Sequence, residues 1–208
     1  MSAPNLAAAL ARSTVVHERA ALQSAIQRMA DAIRADYIDQ EQADQEQAAA
    51  GADIRDGAVL GARRPPLFIT VMHGGLLFAA ELAFALGERG LDLEFDYLHA
   101  TRYRGQMSGS GLAWLHRPAT SLRDRRVLLA DDILDEGHTL LAVKRWCEDQ
   151  GAAEVRVAVL AVKVHDRCVA GVCADYVGVE VPDAYVFGYG MDYHELGRNL
   201  PAIHALQT

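Results

Sequence analysis

Apolar residues recur at helical spacing in the first part of the chain and gather into short runs beyond Pro66. From about Val15 to Ala48 the spacing of Ile26, Met29, Ile33 and Tyr37 predicts a long helix with one buried stripe. Its later part, Gln40 to Ala50, is rich in Gln, Glu, Asp and Ala and reads as a solvated helix end. Gly51 to Pro66, with Gly, Arg and Pro, reads as a surface loop and not a domain linker. No internal repeat is visible.

After Pro66 the pattern changes. Leu67 to Met72 is a short apolar run bounded by Pro and Gly, the mark of a buried strand. Gly74 and Gly75 then open a helical pattern through Leu77, Ala80 and Phe84, and a second strand, Leu93 to Ala100, follows the break at Gly87 and Gly90. Tyr103 to Gly111 is rich in Gly and Ser, as mobile loops are. Val127 to Ala130 predicts a strand ended by Asp131 and Asp132, a helix follows from about Thr139 to Asp149, and Val155 to Val164 is a long β-branched strand. Strands alternating with helices imply an α/β fold with a parallel sheet covered on both faces. Ligands in such folds bind beyond the carboxyl ends of the strands, so the segments after Met72, Ala100, Ala130 and Val164 carry the chemistry.

Composition narrows this picture. At 208 residues, 51% hydrophobic and 23% charged, the chain suits one compact domain with room for a small lobe. A formal net charge of -8 without any basic block argues against a nucleic-acid surface. It leaves open a small anionic substrate, which a few backbone amides, one or two arginines and a metal ion suffice to hold. Three cysteines, Cys147, Cys168 and Cys173, form no C-x-x-C pair, which argues against a disulfide framework or a zinc site. The Ala-rich start lacks preceding basic residues and is interrupted by Arg12, and no apolar run reaches membrane-spanning length. The expectation is a soluble, cytoplasmic protein.

One string decides the chemical class: Val127-Leu-Leu-Ala-Asp-Asp-Ile-Leu-Asp-Glu-Gly-His-Thr-Leu140. A hydrophobic strand delivers Asp131 and Asp132, and a loop containing Gly137 leads into a helix whose first turn includes Thr139. Unpaired amides at a helix start, with a hydroxyl beside them, make a phosphate site. Carboxylates just before it accept hydrogen bonds from sugar hydroxyls. Alone, Asp131 and Asp132 would read as a charged strand end and Asp135 as a helix cap; here four requirements fall in one short segment. The string resembles the signature of type I phosphoribosyltransferases that binds 5-phosphoribosyl-1-pyrophosphate (PRPP).

Further segments, covering most of the chain from Leu67 onward, resemble the hypoxanthine-guanine phosphoribosyltransferases. They are Met72-His-Gly-Gly-Leu-Leu-Phe-Ala79, similar to that family's pyrophosphate loop, and Phe95-Asp-Tyr-Leu-His-Ala-Thr-Arg-Tyr103, similar to the strand entering its lid. Val162-Lys163, Val181-Pro-Asp-Ala-Tyr-Val-Phe-Gly-Tyr-Gly-Met-Asp-Tyr193 and Arg198-Asn-Leu-Pro201 complete the match. The resemblance implies a twisted, mainly parallel sheet flanked by helices, under a small hood of N- and C-terminal segments. It implies one domain over 1–208, with the core at about 60–165 and the hood formed by the N-terminal helix region and about 166–208.

The resemblance also implies roles. Asp135 would be the general base or acid at purine N7. Asp131 and Asp132 would hold the ribose hydroxyls, directly or through Mg²⁺, while Glu136, Gly137, His138, Thr139 and Leu140 surround the 5′-phosphate. Lys163 would donate to the exocyclic oxygen of a 6-oxopurine and so reject adenine, which offers a donor there. Tyr185 would stack on the purine, the Val186 carbonyl would accept from its edge, and Asp192 would hold a second Mg²⁺. His73, Gly74 and Arg198 would contact pyrophosphate, and Arg102 and Tyr103 belong to the lid. Substrates would be PRPP with hypoxanthine or guanine, products IMP or GMP and pyrophosphate, and the state a homodimer or homotetramer.

The chain departs from the pattern in places. His73 stands where the family commonly has lysine, and the family's cis peptide is expected at His73–Gly74. The lid reads Arg102-Tyr103 in place of Ser-Tyr, and the loop from Gly51 to Pro66 is long. Other readings are a PRPP-sensing nucleic-acid regulator, a xanthine-preferring or adenine-preferring enzyme, and an inactive relative; Lys163 speaks against adenine.

Overall fold

In this computed structural model, residues 5–51, 64–102 and 112–207 are described. Their order is α1 (Leu6–Leu10), β1 (Ser13–His17), α2 (Arg19–Gly51), β2 (Leu67–Met72), α3 (Leu76–Glu88), β3 (Glu94–Arg102) and β4 (Leu112–His116). There follow β5 (Arg126–Leu134), α4 (His138–Asp149), β6 (Glu154–Lys163), β7 (Tyr176–Val181), β8 (Val186–Phe187) and β9 (Ile203–Leu206). The expected lid, Tyr103 to Gly111, and most of the Gly51-to-Pro66 loop lie outside the described residues.

Six strands form the main sheet in the order β4-β3-β2-β5-β6-β7. All its pairings are parallel except β3 with β4. Its faces bury two apolar clusters. One joins the α2 stripe of Ile26, Met29, Ile33 and Tyr37 to Phe78 and Leu82 of α3; the other sets Leu140, Val143 and Cys147 of α4 against Leu129 and Val157. The helical stripe read from spacing is therefore core, as helices flanking a parallel sheet require.

A second sheet, β1-β9-β8, joins the two ends of the chain into the hood. The expected helix start at Val15 is corrected here, because Val15 lies in β1 and pairs antiparallel with His204 of β9. Local periodicity could not disclose a partner nearly two hundred residues away; the β-branched pair Val15-Val16 suits the strand.

The expected end of β5 at Asp131 is also corrected. Pairing between β2 and β5 stops at Thr70 and Ala130, whereas β6 keeps pairing with β5 through Leu134 and Val162. The two aspartates thus sit on a continuing strand, at the point where one neighbour has left. That departure opens the cleft.

Candidate active site

A cleft of about 780 Å³ lies at the carboxyl ends of β2, β5 and β6. It is lined by Asp131, Asp132, Asp135, Glu136, Gly137, His138, Thr139 and Leu140 from the β5–α4 segment, and by His73 and Gly74 from the turn after β2. Lys163 from β6 and Tyr185, Val186, Asp192 and Arg198 from the hood complete it. Of the residues singled out in the sequence, Arg102 closes β3 and Tyr103 falls outside the described residues.

The β5–α4 turn works as its residue types require. Gly137 adopts φ +81 in the left-handed region, and a Cβ there would lie 2.7 Å from Val172 Cγ1. Glycine alone tolerates both the conformation and the crowding. As the residue preceding α4 it supplies no side-chain cap, so the first-turn amides of His138 and Thr139 face the cleft uncapped. Amides so arranged, with the helix dipole behind them, attract a phosphate.

Asp131 and Asp132 are both buried. The Asp132 amide donates to Asp131 Oδ1 at 2.9 Å. Burial, then the charge of Asp132, raises the Asp131 pKa well above the carboxylate range. Burial also raises that of Asp132, against the lowering effects of a hydrogen bond from Asp131 and the charge of Arg198. Among the described residues neither carboxylate has an ion pair with lysine or arginine. Two crowded, buried carboxylates of this kind suit hydroxyl donors or a hard cation. Asp192 differs, since its Oδ1 lies 2.7 Å from Arg198 and its Oδ2 accepts from the Glu195 amide at 2.8 Å.

After β2 the chain turns sharply. The Gly75 amide donates to Val71 O at 2.9 Å and the Leu76 amide to His73 O at 3.2 Å. The cis peptide lies at Met72–His73, one bond before the place expected for it, at the junction where β2 ends and the turn begins. The His73 ring meets His99 edge-on, with centroids 4.2 Å apart. Partial burial, then the neighbouring His73 and Arg198, lower the His99 pKa. His99 and Glu195 line the cleft and went unread in the sequence, although His99 stands at the carboxyl end of a strand, where ligands were expected.

Lys163 ends β6 beside β5, with Nζ 2.5 Å from Asp135 Oδ2. Asp135 Oδ1 is 2.7 Å from Nε2 of His165, a residue sequence reading missed. Burial of Asp135 works to raise its pKa, but hydrogen bonds from Lys163 and His165 and the charge of Lys163 prevail and hold it below the ordinary range. In the hood, the Tyr185 hydroxyl donates to the Asp192 carbonyl at 3.2 Å, joining the two cleft residues.

Comparison with known proteins agrees with this architecture. The phosphoribosyl transferase domain model matches residues 35–194. A hypoxanthine-guanine phosphoribosyltransferase of Streptococcus pneumoniae is 33% identical over 147 residues, spanning 70% of this chain and 79% of that protein. Its counterpart from Bacillus subtilis is 36% identical over 143 residues, 68% of this chain and 77% of its own. A solved structure of Trypanosoma cruzi hypoxanthine phosphoribosyl transferase superposes with a TM-score of 0.77 at 25% identity, covering 93% of this chain and 91% of that one. With the domain model matched over most of the chain and these relatives at 33% and 36% identity, the chain belongs to the phosphoribosyltransferase family and, within it, to the hypoxanthine-guanine phosphoribosyltransferases.

Proposed function

We propose that this enzyme transfers the 5-phosphoribosyl group of PRPP to hypoxanthine or guanine, giving IMP or GMP and pyrophosphate. The observation that carries the reading is the meeting of Lys163, at the end of β6, and Asp135, just past the end of β5, 2.5 Å apart in the same cleft as the buried Asp131–Asp132 pair. A lysine beside a carboxylate suits a 6-oxopurine, whose exocyclic oxygen takes the ammonium while its N7 proton faces the carboxylate.

In this reading the amides of Gly137, His138 and Thr139, with Glu136 and Leu140 alongside, enclose the 5′-phosphate, and the Thr139 hydroxyl assists. Asp131 and Asp132 accept from the ribose hydroxyls. His73, Gly74 and Arg198 face the pyrophosphate. Asp135 takes the N7 proton as the bond to ribose C1 forms and pyrophosphate leaves. Tyr185 covers the purine face. The Tyr185 carbonyl accepts from the Leu206 amide at 2.9 Å, so ladder alternation turns the Val186 carbonyl away from β9, which supports its reading as the acceptor for the purine edge.

Mg²⁺ fits this donor set. Asp131 and Asp132 supply buried hard oxygens without a cation of their own, and Asp192 is the candidate for a second ion. When bound with PRPP, Mg²⁺ supplies neutralisation of the leaving pyrophosphate.

We further read residues 1–208 as a single domain and the assembly as a homodimer or homotetramer. Support for association comes from an apolar groove on the outer face of α3 and β3, where Phe84 is 76% and Phe95 62% exposed. Sedimentation of the wild type against Phe84→Glu tests this, the variant being expected to dissociate. Among the described residues no helix is long and apolar enough to cross a membrane; a cytoplasmic location follows the same proposal.

The direct test of the activity is Asp135→Asn. It is expected to keep PRPP binding and to lose most turnover with hypoxanthine, and unchanged turnover would refute the role. A thermal-shift series with hypoxanthine, guanine, xanthine and adenine, in the presence of PRPP and Mg²⁺, ranks the bases, because ligands stabilise the native state by mass action.

A further inference from the structure

The strap that follows β6 does more than connect strands. Its His165 side chain is only 3% exposed, and both ring nitrogens are engaged. Nδ1 lies 3.1 Å from the Arg167 amide, which can only donate, so Nδ1 must be the acceptor. The ring hydrogen is therefore on Nε2, 2.7 Å from Asp135 Oδ1, and the imidazole meets the carboxylate as a neutral donor. The strap is itself pinned. The Arg167 guanidinium clasps Asp183 with both terminal nitrogens, at 2.8 and 2.6 Å, and the Val169 amide donates to Glu136 O at 2.9 Å.

Asp135 thus has one oxygen for each partner: Oδ2 for Lys163 and Oδ1 for His165. The two partners have different fates. If Lys163 reads the purine oxygen, its ammonium must turn from Oδ2 toward the base, which frees that oxygen to receive the N7 proton. A carboxylate 42% exposed would then keep its orientation only through whatever holds Oδ1.

We propose that His165 is a positioning residue, whose Nε2–H fixes Oδ1 of Asp135 so that Oδ2 stays aimed at purine N7 after Lys163 has moved to the exocyclic oxygen. This rests on the reading of Asp135 as the general base. The hydrogen bond favours the ionised carboxylate, so removing it raises the pH needed to keep Asp135 ionised and ready for the proton, besides loosening its geometry. Arg167 and Asp183 contribute at one remove, by locking the strap whose amide selects the imidazole tautomer.

The test compares wild type, His165→Phe and His165→Gln in steady-state kinetics with hypoxanthine and PRPP across pH. Phe keeps a planar ring without a donor and should lower kcat by about 10- to 100-fold, the usual effect of losing a group that orients a functional ligand. KM for PRPP should stay within about threefold, since the phosphate and ribose contacts are untouched. The acid limb of kcat should move to higher pH. Gln restores an N–H and should recover much of the loss in both readouts. In an Asp135→Asn background, His165→Phe should cost little more.

Wild-type enzyme without phosphoribosyl transfer would overturn the proposed function and this role with it. An active wild type whose His165→Phe variant keeps kcat and acid limb would overturn the positioning role alone. So would a full additional loss in the Asp135→Asn background, which marks a structural contribution. If melting curves show that His165→Phe does not fold, His165→Leu takes its place under the same criteria.

Discussion

Gly74 and Asp132 meet so closely that a Cβ added to the glycine would lie 2.1 Å from Asp132 Oδ2 and 2.5 Å from its carboxyl carbon. The turn after β2 and the carboxylate on β5 are two halves of one surface, and the glycine keeps them in contact. Gly74→Ala must therefore push Asp132 aside or move the loop, and the carboxylate is the softer of the two. Steady-state kinetics should show kcat/KM for PRPP reduced by about 100-fold or more, in line with a displacement of about 1 Å in a catalytic constellation. The melting temperature should fall only slightly, because the carboxylate is already an uncomfortable resident of the fold.

Lys163 donates to Asp135 in the structure, and under the proposed function it turns to the purine oxygen in the complex. Lys163→Gln removes the charge but keeps an amide able to donate or accept. Discrimination between hypoxanthine and adenine, measured as the ratio of kcat/KM values, should drop by about 10- to 100-fold, mostly through loss of the hypoxanthine reaction. This matches the cost of leaving a polar substrate group without its partner. An unchanged ratio would place base selection elsewhere in the cleft.

The sequence made some of this legible and concealed the rest for physical reasons. Ile26, Met29, Ile33 and Tyr37 disclosed the α2 stripe because helical burial is periodic within one segment. Asp131 through Leu140 disclosed the strand–turn–helix segment that lines the cleft because its requirements are contiguous. Val15 was misread because its partner, His204, lies at the far end of the chain. The run of β5 past Asp131 depends on β6 staying while β2 leaves, a matter of neighbours that no single segment records. His165 was missed because an isolated histidine beyond a strand is mute until the carboxylate it faces is known.

The pH dependence of turnover follows from the environment of Asp135. Its burial works to raise the pKa, but hydrogen bonds from Lys163 and His165 and the charge of Lys163 hold it below the ordinary carboxylate range. For an acid so shifted, the ionised form persists as pH falls and is lost only on passing down through the depressed value. With PRPP saturating, the acid limb of kcat/KM for hypoxanthine should fall below the usual range of a free carboxylate. Lys163→Gln should move it upward, because an amide stabilises the anion less than an ammonium does. A wild-type limb at or above the ordinary aspartate value would contradict the assignment.

Asp131 gives the opposite sign. Burial and the adjacent charge of Asp132 raise its pKa in the fold, so the ionised side chain is disfavoured in the native state relative to the unfolded chain. A raised carboxyl pKa destabilises at high pH, where the unfolded chain is charged without penalty, and the deficit fades as pH falls through the folded pKa toward the unfolded value. Asp131→Asn removes the charge yet keeps an oxygen for the Asp132 amide, which now donates to Asp131 Oδ1 at 2.9 Å. Calorimetry of the ligand-free protein at neutral pH should find the variant melting about 2–4 °C higher, the shift about 1 kcal/mol produces at this size. Kinetics should find it severely impaired toward PRPP, because under the proposed function the charged pair is what holds the ribose hydroxyls and Mg²⁺. A variant that is both less stable and fully active would mean that Asp131 serves the fold and not the substrate.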